Sequence, residues 1–176
     1  MSARFAAAAL TVMLGGAVAA GVAALRTISP PADEPVHPPA AATPATGETA
    51  RTIAVTAHDN MAYSVPTIAA APGELLTISL STISSLPREI VHHNFVLLRA
   101  DAPASAFVRL AAQSHGHGQH IPAAFQQQVL ASTDIAGAGE SVSTTFRAPV
   151  TPGSYVYLCS VPGHFAGGMK GTLVVR

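Results

Sequence analysis

Hydrophobic and polar positions change their pattern near residue 51 of the chain. Beyond that point, short apolar or alternating runs are separated by Gly, Pro, Asn and Asp, which is typical of β-strands joined by turns. The turns are predicted at Pro72-Gly73, Gly137-Ala138-Gly139 and Pro152-Gly153. The pattern predicts strands over residues 52–57, 67–70, 75–80, 93–98, 129–133, 141–146, 154–159 and 171–175.

A helical pattern is found only over residues 102–112. Because no long helical segment separates the strands, the pattern favours an all-β fold over an α/β fold. Eight short strands in about 125 residues predict a Greek-key β-sandwich with one short helical excursion.

The first 26 residues have a different character. Arg4 precedes an uncharged apolar run of 21 residues, 5–25, in which Ala17-Val18-Ala19 would suit a signal peptidase. Residues 1–26 are therefore predicted to be a signal peptide. The run is also long enough to cross a bilayer, so an uncleaved membrane anchor, with residues 5–25 as the tether, is equally allowed. Both interpretations predict an exported protein, periplasmic or at an extracytoplasmic face.

Residues 27–50 are rich in Pro, Ala and Thr and show no periodicity, which predicts a flexible linker. Residues 51–176 are then the folded domain. Only 10% of all residues are charged and the formal net charge is zero, so we expect no nucleic-acid partner. A single cysteine excludes an internal disulfide.

Candidate chemistry lies in "YLCSVPGHFAGGMKG", residues 157–171, which holds Cys159, His164 and Met169 at intervals of five positions. Thiolates and imidazoles bind transition metals well, and a thioether selects soft copper(I). Glycine-rich turns would allow the three side chains to converge. Two His and one Cys with a distant axial Met form a type 1, or blue, copper site. The motif therefore predicts copper, with a second histidine from elsewhere.

The second histidine is predicted in "LPREIVHHNFVLL", residues 86–98, where His92 and His93 precede Asn94 and a strongly apolar strand. A ligand at the start of a buried strand is held in place by the core. Neighbouring strand residues point to opposite faces, so at most one of the two histidines reaches the metal. We predict His93.

The segments 86–98 and 157–175 together resemble azurin and, in the Cys-x4-His-x4-Met spacing, still more the auracyanins, which are blue copper proteins of the cupredoxin fold. Residues 129–146, "VLASTDIAGAGESVSTTF", resemble the azurin segment before the ligand strand. The resemblance implies one type 1 copper per domain.

By the same resemblance, the equatorial copper ligands would be His93, Cys159 and His164, and the axial ligand would be Met169. Asn94 would tie the ligand strand to the ligand loop. Azurin has a glycine before its first ligand histidine, and the carbonyl of this glycine approaches the metal. His92 stands there in this chain, which implies a geometry closer to four-coordinate.

The resemblance also implies that His164 reaches the surface through an apolar patch on which partners dock transiently. The predicted patch is Ile90, Val91, Val161, Pro162, Phe165 and Ala166. A filled ligand set leaves little room for a substrate, so no enzyme is expected. We predict an electron carrier that cycles copper between cupric and cuprous states and serves redox partners such as a cytochrome or a membrane oxidoreductase.

A second histidine cluster lies in "SHGHGQH", residues 114–120. His115, His117 and His120 could form a weak second metal site or help to load copper. A flexible polar loop is the other interpretation, because the glycines fix no geometry. The cluster is the only support for an alternative function, a periplasmic copper chaperone or storage protein. His37 and His58 are expected to be solvated.

Overall fold

The computed structural model describes residues 48–88, 90–114 and 120–176. Several predictions therefore lie outside the described residues, namely the signal peptide or anchor of residues 1–26, the linker up to residue 47, and the positions of His37, His115 and His117. Within the described ranges, no helix has the length and apolar character needed to cross a bilayer.

The described part of the chain contains eleven strands and one α-helix. The strands are β1 (Arg51–His58), β2 (Ala62–Tyr63), β3 (Thr67–Ala70), β4 (Leu75–Ile83), β5 (His92–His93), β6 (Val96–Leu98), β7 (Val129–Ser132), β8 (Ala136–Gly137), β9 (Ser141–Arg147), β10 (Gly153–Leu158) and β11 (Lys170–Val175). Helix α1 (Ala104–Ser114) and a 3₁₀ helix (Ala123–Gln128) connect β6 to β7.

The strands form two main sheets and a small ribbon. The first sheet has the order β2-β1-β4-β9, the second has the order β3-β11-β10-β6-β7, and β5 pairs with β8. The pairs β1/β4 and β3/β11 are parallel, and the other pairs are antiparallel. This topology confirms the predicted all-β sandwich.

Strand β4 shows why these residues form a sandwich. Leu76, Ile78 and Leu80 are fully buried on one face, because side chains alternate along a strand. Thr77 and Ser81 lie on the other face, where their hydroxyls bond to hydroxyls of β9 at 2.8 and 2.7 Å. The alternation therefore directs one face of the first sheet to the core and the other to solvent.

The helical excursion covers the outer face of the second sheet. Phe107 of α1 and Phe125 of the 3₁₀ helix meet edge to face, with ring centroids 5.4 Å apart. They pack with Val96, Leu98 and Leu158, so β6 and the end of β10 are buried on both faces. This second core supports the strand that precedes the only cysteine.

The predicted strand 93–98 is in fact divided. His92 and His93 pair with Gly137 and Ala136 in the ribbon, whereas β6 belongs to the second sheet. Between them, the amide of Phe95 donates to Thr133 Oγ1 instead of to a strand partner. The break places the first candidate ligand outside the sheet, at the end of the sandwich.

Candidate metal centre

The loop between β10 and β11 brings its two ends together. The amide of Cys159 donates to the carbonyl of Met169 at 3.2 Å, and the amide of Met169 donates to the carbonyl of His164 at 2.9 Å. Gly163 and Gly168 have φ angles of +86° and +106°, which other residues rarely adopt. The loop is therefore folded back so that its sulfur and nitrogen donors lie near one another.

Three donor atoms converge at this end of the sandwich. The Nδ1 atoms of His93 and His164 are 3.2 Å apart, and the Sγ of Cys159 is 3.5 Å from His164 Nδ1. Ligand atoms of all three residues lie within 4.8 Å of one another. His93 and Cys159 are buried and His164 is half-buried. Sequence reasoning thus selected three residues that the fold brings together.

Burial controls the protonation of the donors. Burial, followed by the nearby charge of His164, lowers the pKa of His93 to about 4. The ring is therefore neutral at neutral pH and offers a lone pair to a metal. Burial raises the pKa of the Cys159 thiol to about 11, although the backbone amides of Asn94 and Val161 hydrogen-bond to the sulfur and oppose the shift. Metal binding must therefore displace the thiol proton.

These residues fit a metal ion. A single cation satisfies two imidazole nitrogens and a sulfur that face one point, whereas a proton shared between two of them leaves the third unsatisfied. The Nε2 of His93 is also buried and has no hydrogen-bond partner among the described residues. Nδ1 is the ring nitrogen of His93 that faces His164, so a metal ion would bind there.

Met169, the predicted axial donor, lies near the three donors. Its side chain is fully buried and belongs to the same core cluster as Cys159 and Val161. A thioether in this position is a soft donor, and the set of two imidazoles, one thiolate and one thioether is the set that suits copper. The side-chain chemistry of the site therefore selects copper over zinc.

Asn94 links the ligand strand to the ligand loop. Its Nδ2 donates to Ser160 Oγ and its Oδ1 accepts from the Ser160 amide, both at 2.9 Å. Both residues are buried, and each directly follows a candidate ligand. His92, which was expected beside the site, is half-buried and pairs with Gly137 in the ribbon.

The predicted docking patch contains exposed and buried residues. Pro162, Ala166 and Ile90 are exposed and Phe165 is half-buried, so these four residues can meet a partner. Two further members of the predicted patch, Val91 and Val161, are buried, so the expectation that they face a partner was wrong.

Sequence reasoning missed Met61, which is 38% exposed. A Cβ on Gly167 would lie 2.4 Å from Met61 Sδ, so the methionine packs against the glycine-rich part of the ligand loop. A lone methionine in a turn carries no local signal for such a contact. Ser160 was missed as well, because its hydrogen bonds join it to Asn94, a residue 66 positions away in the chain.

The remaining histidines have separate environments. His58 is half-buried and lies 3.1 Å from Thr56 Oγ1, so the expectation that it is solvated was wrong in part. His120 is half-buried. Since His115 and His117 lie outside the described residues, the second metal site stays a prediction.

The fold and the donor set define a blue copper protein. The family model for copper-binding proteins of the plastocyanin/azurin family matches residues 50–176. The chain belongs to this family, which makes it a copper protein of the blue copper electron-transfer class.

Individual relatives agree with this assignment. The chain is 34% identical to azurin from Pseudomonas fluorescens biotype A over 128 residues, which cover 70% of the chain and 97% of that azurin. It is 45% identical to auracyanin-B from Chloroflexus aurantiacus over 85 residues, which cover 48% of the chain and 36% of that protein. The match thus spans about a third of the length of auracyanin-B.

Solved structures show the same fold. Auracyanin A, described as a "blue" copper protein from Chloroflexus aurantiacus, superposes with a TM-score of 0.64 and 27% identity over 73% of this chain and 100% of that chain. A structure of auracyanin B superposes with a TM-score of 0.62 and 34% identity over 73% of this chain and 91% of that chain.

Proposed function

We propose that this protein carries single electrons between exported or membrane-bound redox partners. The observation that carries the proposal is the convergence of His93, Cys159 and His164 within 4.8 Å in a largely buried pocket. A copper ion held there would supply a one-electron couple between the cupric and cuprous states.

The protein's own residues would hold the ion and keep its surroundings constant. His93, Cys159 and His164 would be its equatorial ligands and Met169 its axial ligand. The ligands are packed in the core and their loop is closed by backbone hydrogen bonds, so little rearrangement can accompany a change of charge. Four donors also leave little space for a substrate, which supports electron transfer over bond-making chemistry.

His164 would be the point of electron entry and exit. It is the half-buried member of the three, and exposed Pro162 and Ala166 lie on the same loop. Ile90, with 66% of its surface exposed, extends the apolar surface from the facing loop. A mainly apolar surface of this kind suits brief docking, because it needs no fixed set of ion pairs. A cytochrome or a membrane oxidoreductase is the class of partner we propose.

The position of Arg51 would allow a tether at residues 5–25 without covering the metal centre. Arg51 begins β1, and its guanidinium donates to the carbonyl of Ala69, one residue before the end of β3. Ala70 pairs with Val175, and Val175 pairs with Gly153 at the start of β10. Since β10 runs from this end towards Cys159, Arg51 lies at the end of the sandwich opposite the metal centre.

Spectroscopy of the full-length protein tests the proposal. With one equivalent of copper, we expect an intense blue oxidised form with the paramagnetic signal of a type 1 site. Titration with ascorbate should bleach the colour, and reoxidation should restore it. A colourless protein that binds cuprous ion weakly and exchanges it readily would overturn electron transfer and favour the chaperone or storage function.

A further inference from the structure

The backbone carbonyl of Asn94 has an unusual partner. Asn94 lies between β5 and β6, where the chain leaves one sheet for another. The hydroxyl of Tyr63 donates to this carbonyl at 2.5 Å, and both residues are buried. Among the described residues, the Tyr63 hydroxyl donates the hydrogen bond that the Asn94 carbonyl accepts. Removing it would leave a buried acceptor unsatisfied.

Asn94 is therefore held from two directions. Tyr63 holds its backbone, and Ser160 holds its side chain through two hydrogen bonds of 2.9 Å. His93 precedes Asn94, and Cys159 precedes Ser160. The chain of contacts from Tyr63 through Asn94 to Ser160 thus connects the two segments that carry buried metal donors.

Tyr63 itself is firmly anchored. It lies in β2, which pairs with the end of β1 in the first sheet, and its ring packs against Tyr157 with centroids 5.6 Å apart. The next residue, Ser64, exchanges two hydrogen bonds with Thr56, of 2.8 and 2.9 Å. Burial raises the pKa of Tyr63 well above its ordinary value, so the hydroxyl keeps its proton.

The link also joins the two halves of the sandwich. Tyr63 belongs to the first sheet, whereas Ser160 lies two residues after the end of β10 in the second sheet. The chain has a single cysteine and no disulfide can join the sheets at this end. A buried hydrogen bond between the sheets beside the metal donors therefore restrains their separation.

We propose that Tyr63 is a positioning residue of the metal centre, whose hydroxyl fixes the Asn94–Phe95 peptide, and with it the backbone next to His93, relative to Cys159. This inference rests on the proposed copper ligands and assigns a role to a residue outside the donor set. Removing the hydroxyl should loosen His93 and change the ligand field of the bound copper, while the fold is retained.

The test compares two conservative variants of the full-length protein. Tyr63→Phe removes the hydroxyl that reaches Asn94. Tyr155→Phe is a matched control, because the Tyr155 hydroxyl also donates to a backbone carbonyl, that of Thr151 at 2.7 Å, near the opposite end of the sandwich. The measurements are the cuprous affinity of each copper-free protein by competition with a chelator, and the optical and paramagnetic spectra of the cupric form.

We expect Tyr63→Phe to bind cuprous ion about tenfold more weakly and to show changed spectra. Tyr155→Phe should match the parent protein in both its cuprous affinity and its spectra. Placing 4-aminophenylalanine at position 63 restores an N–H donor and should recover the parent spectra, which a general loss of stability would not allow. If Tyr63→Phe matches the parent, or if both phenylalanine variants change alike, the positioning role is overturned.

The result is distinguishable from a failure of the proposed function. A parent protein that never becomes blue with copper would refute the ligand assignment, and the positioning role with it. A blue parent with an unaffected Tyr63→Phe variant would refute the positioning role alone. If Tyr63→Phe does not fold, the variant with 4-aminophenylalanine at position 63 provides the test. Failure of that variant to recover the parent spectra would count against the positioning role of Tyr63.

Discussion

The Nδ1 atom of His93 lies 3.2 Å from the Nδ1 atom of His164, although 71 positions separate the two residues in the chain. The Cys159 sulfur lies 3.5 Å from the same His164 atom. Burial of these donors costs free energy, because buried polar groups must regain partners in the folded state. Copper provides that partner, and the predictions below follow from this geometry.

Replacing the sulfur should remove the blue colour. In Cys159→Ser, the hydroxyl that replaces the thiol has no low-energy sulfur-to-copper charge transfer, so we expect the intense band to disappear. Absorption spectra and metal analysis of the same sample separate loss of colour from loss of copper. A Cys159→Ser protein that remains blue would contradict the ligand assignment.

The axial donor should set the reduction potential. Met169→Gln keeps the length of the side chain but presents an oxygen donor, which favours cupric over cuprous copper. We expect copper to be retained, the potential to fall, and stability to decrease by about 1–3 kcal/mol from burial of the amide. Protein-film voltammetry measures the potential, with Val150→Gln at a 76% exposed position as the control. An unchanged potential would show that Met169 is not the axial ligand.

The apolar surface should control encounters between copies of the protein. Ile90→Asp places a carboxylate on that surface, and two copies that meet there would bring like charges together. We expect the rate of electron self-exchange, measured by NMR line broadening in mixed oxidation states, to fall by about tenfold at low salt. Added salt should restore part of the rate.

Val150→Asp is the control for the surface test. Val150 is 76% exposed and follows the end of β9, away from the metal centre, so its charge should leave self-exchange close to the parent rate. Both variants should keep the parent potential. Equal slowing in the two variants would mean that docking is not confined to the surface around His164.

Two buried phenols should limit stability at alkaline pH. Burial raises the pKa of Tyr157 to about 12, and burial raises the pKa of Tyr63 well above its ordinary value. The stabilisation that each neutral, buried phenol contributes is fully present below the unfolded-state pKa near 10. It is lost as the pH rises towards the folded-state pKa. The free energy of unfolding should therefore fall between pH 10 and 12, by up to about 1.4 kcal/mol per pH unit for each tyrosine.

The alkaline effect is measured by urea unfolding of the copper-free protein across that range. Tyr63→Phe removes one titrating group, so the slope against pH should be shallower than that of the parent, and the remaining slope should come from Tyr157 and the Cys159 thiol. An identical slope in the two proteins would mean that Tyr63 does not contribute to alkaline unfolding.

Local patterns were sufficient for much of the fold. The alternation in β4 and the Gly and Pro turns predicted strands that the structure contains, because side-chain direction along a strand depends only on neighbouring residues. The helix predicted over 102–112 is found as Ala104–Ser114. It begins directly after Pro103, a residue that favours helix starts. The 3₁₀ helix was missed, because a single buried phenylalanine, Phe125, carries no periodic signal.

The sequence by itself determined the chemistry of the candidate centre. Cys159, His164 and Met169 lie in one short loop, so their spacing and glycine turns already indicate that they can converge. Only the tertiary structure decided how His93 meets them, that β5 separates from β6, and that Tyr63 reaches the carbonyl of Asn94. These contacts depend on the pairing and stacking of sheets, and such long-range packing leaves no local pattern in the sequence.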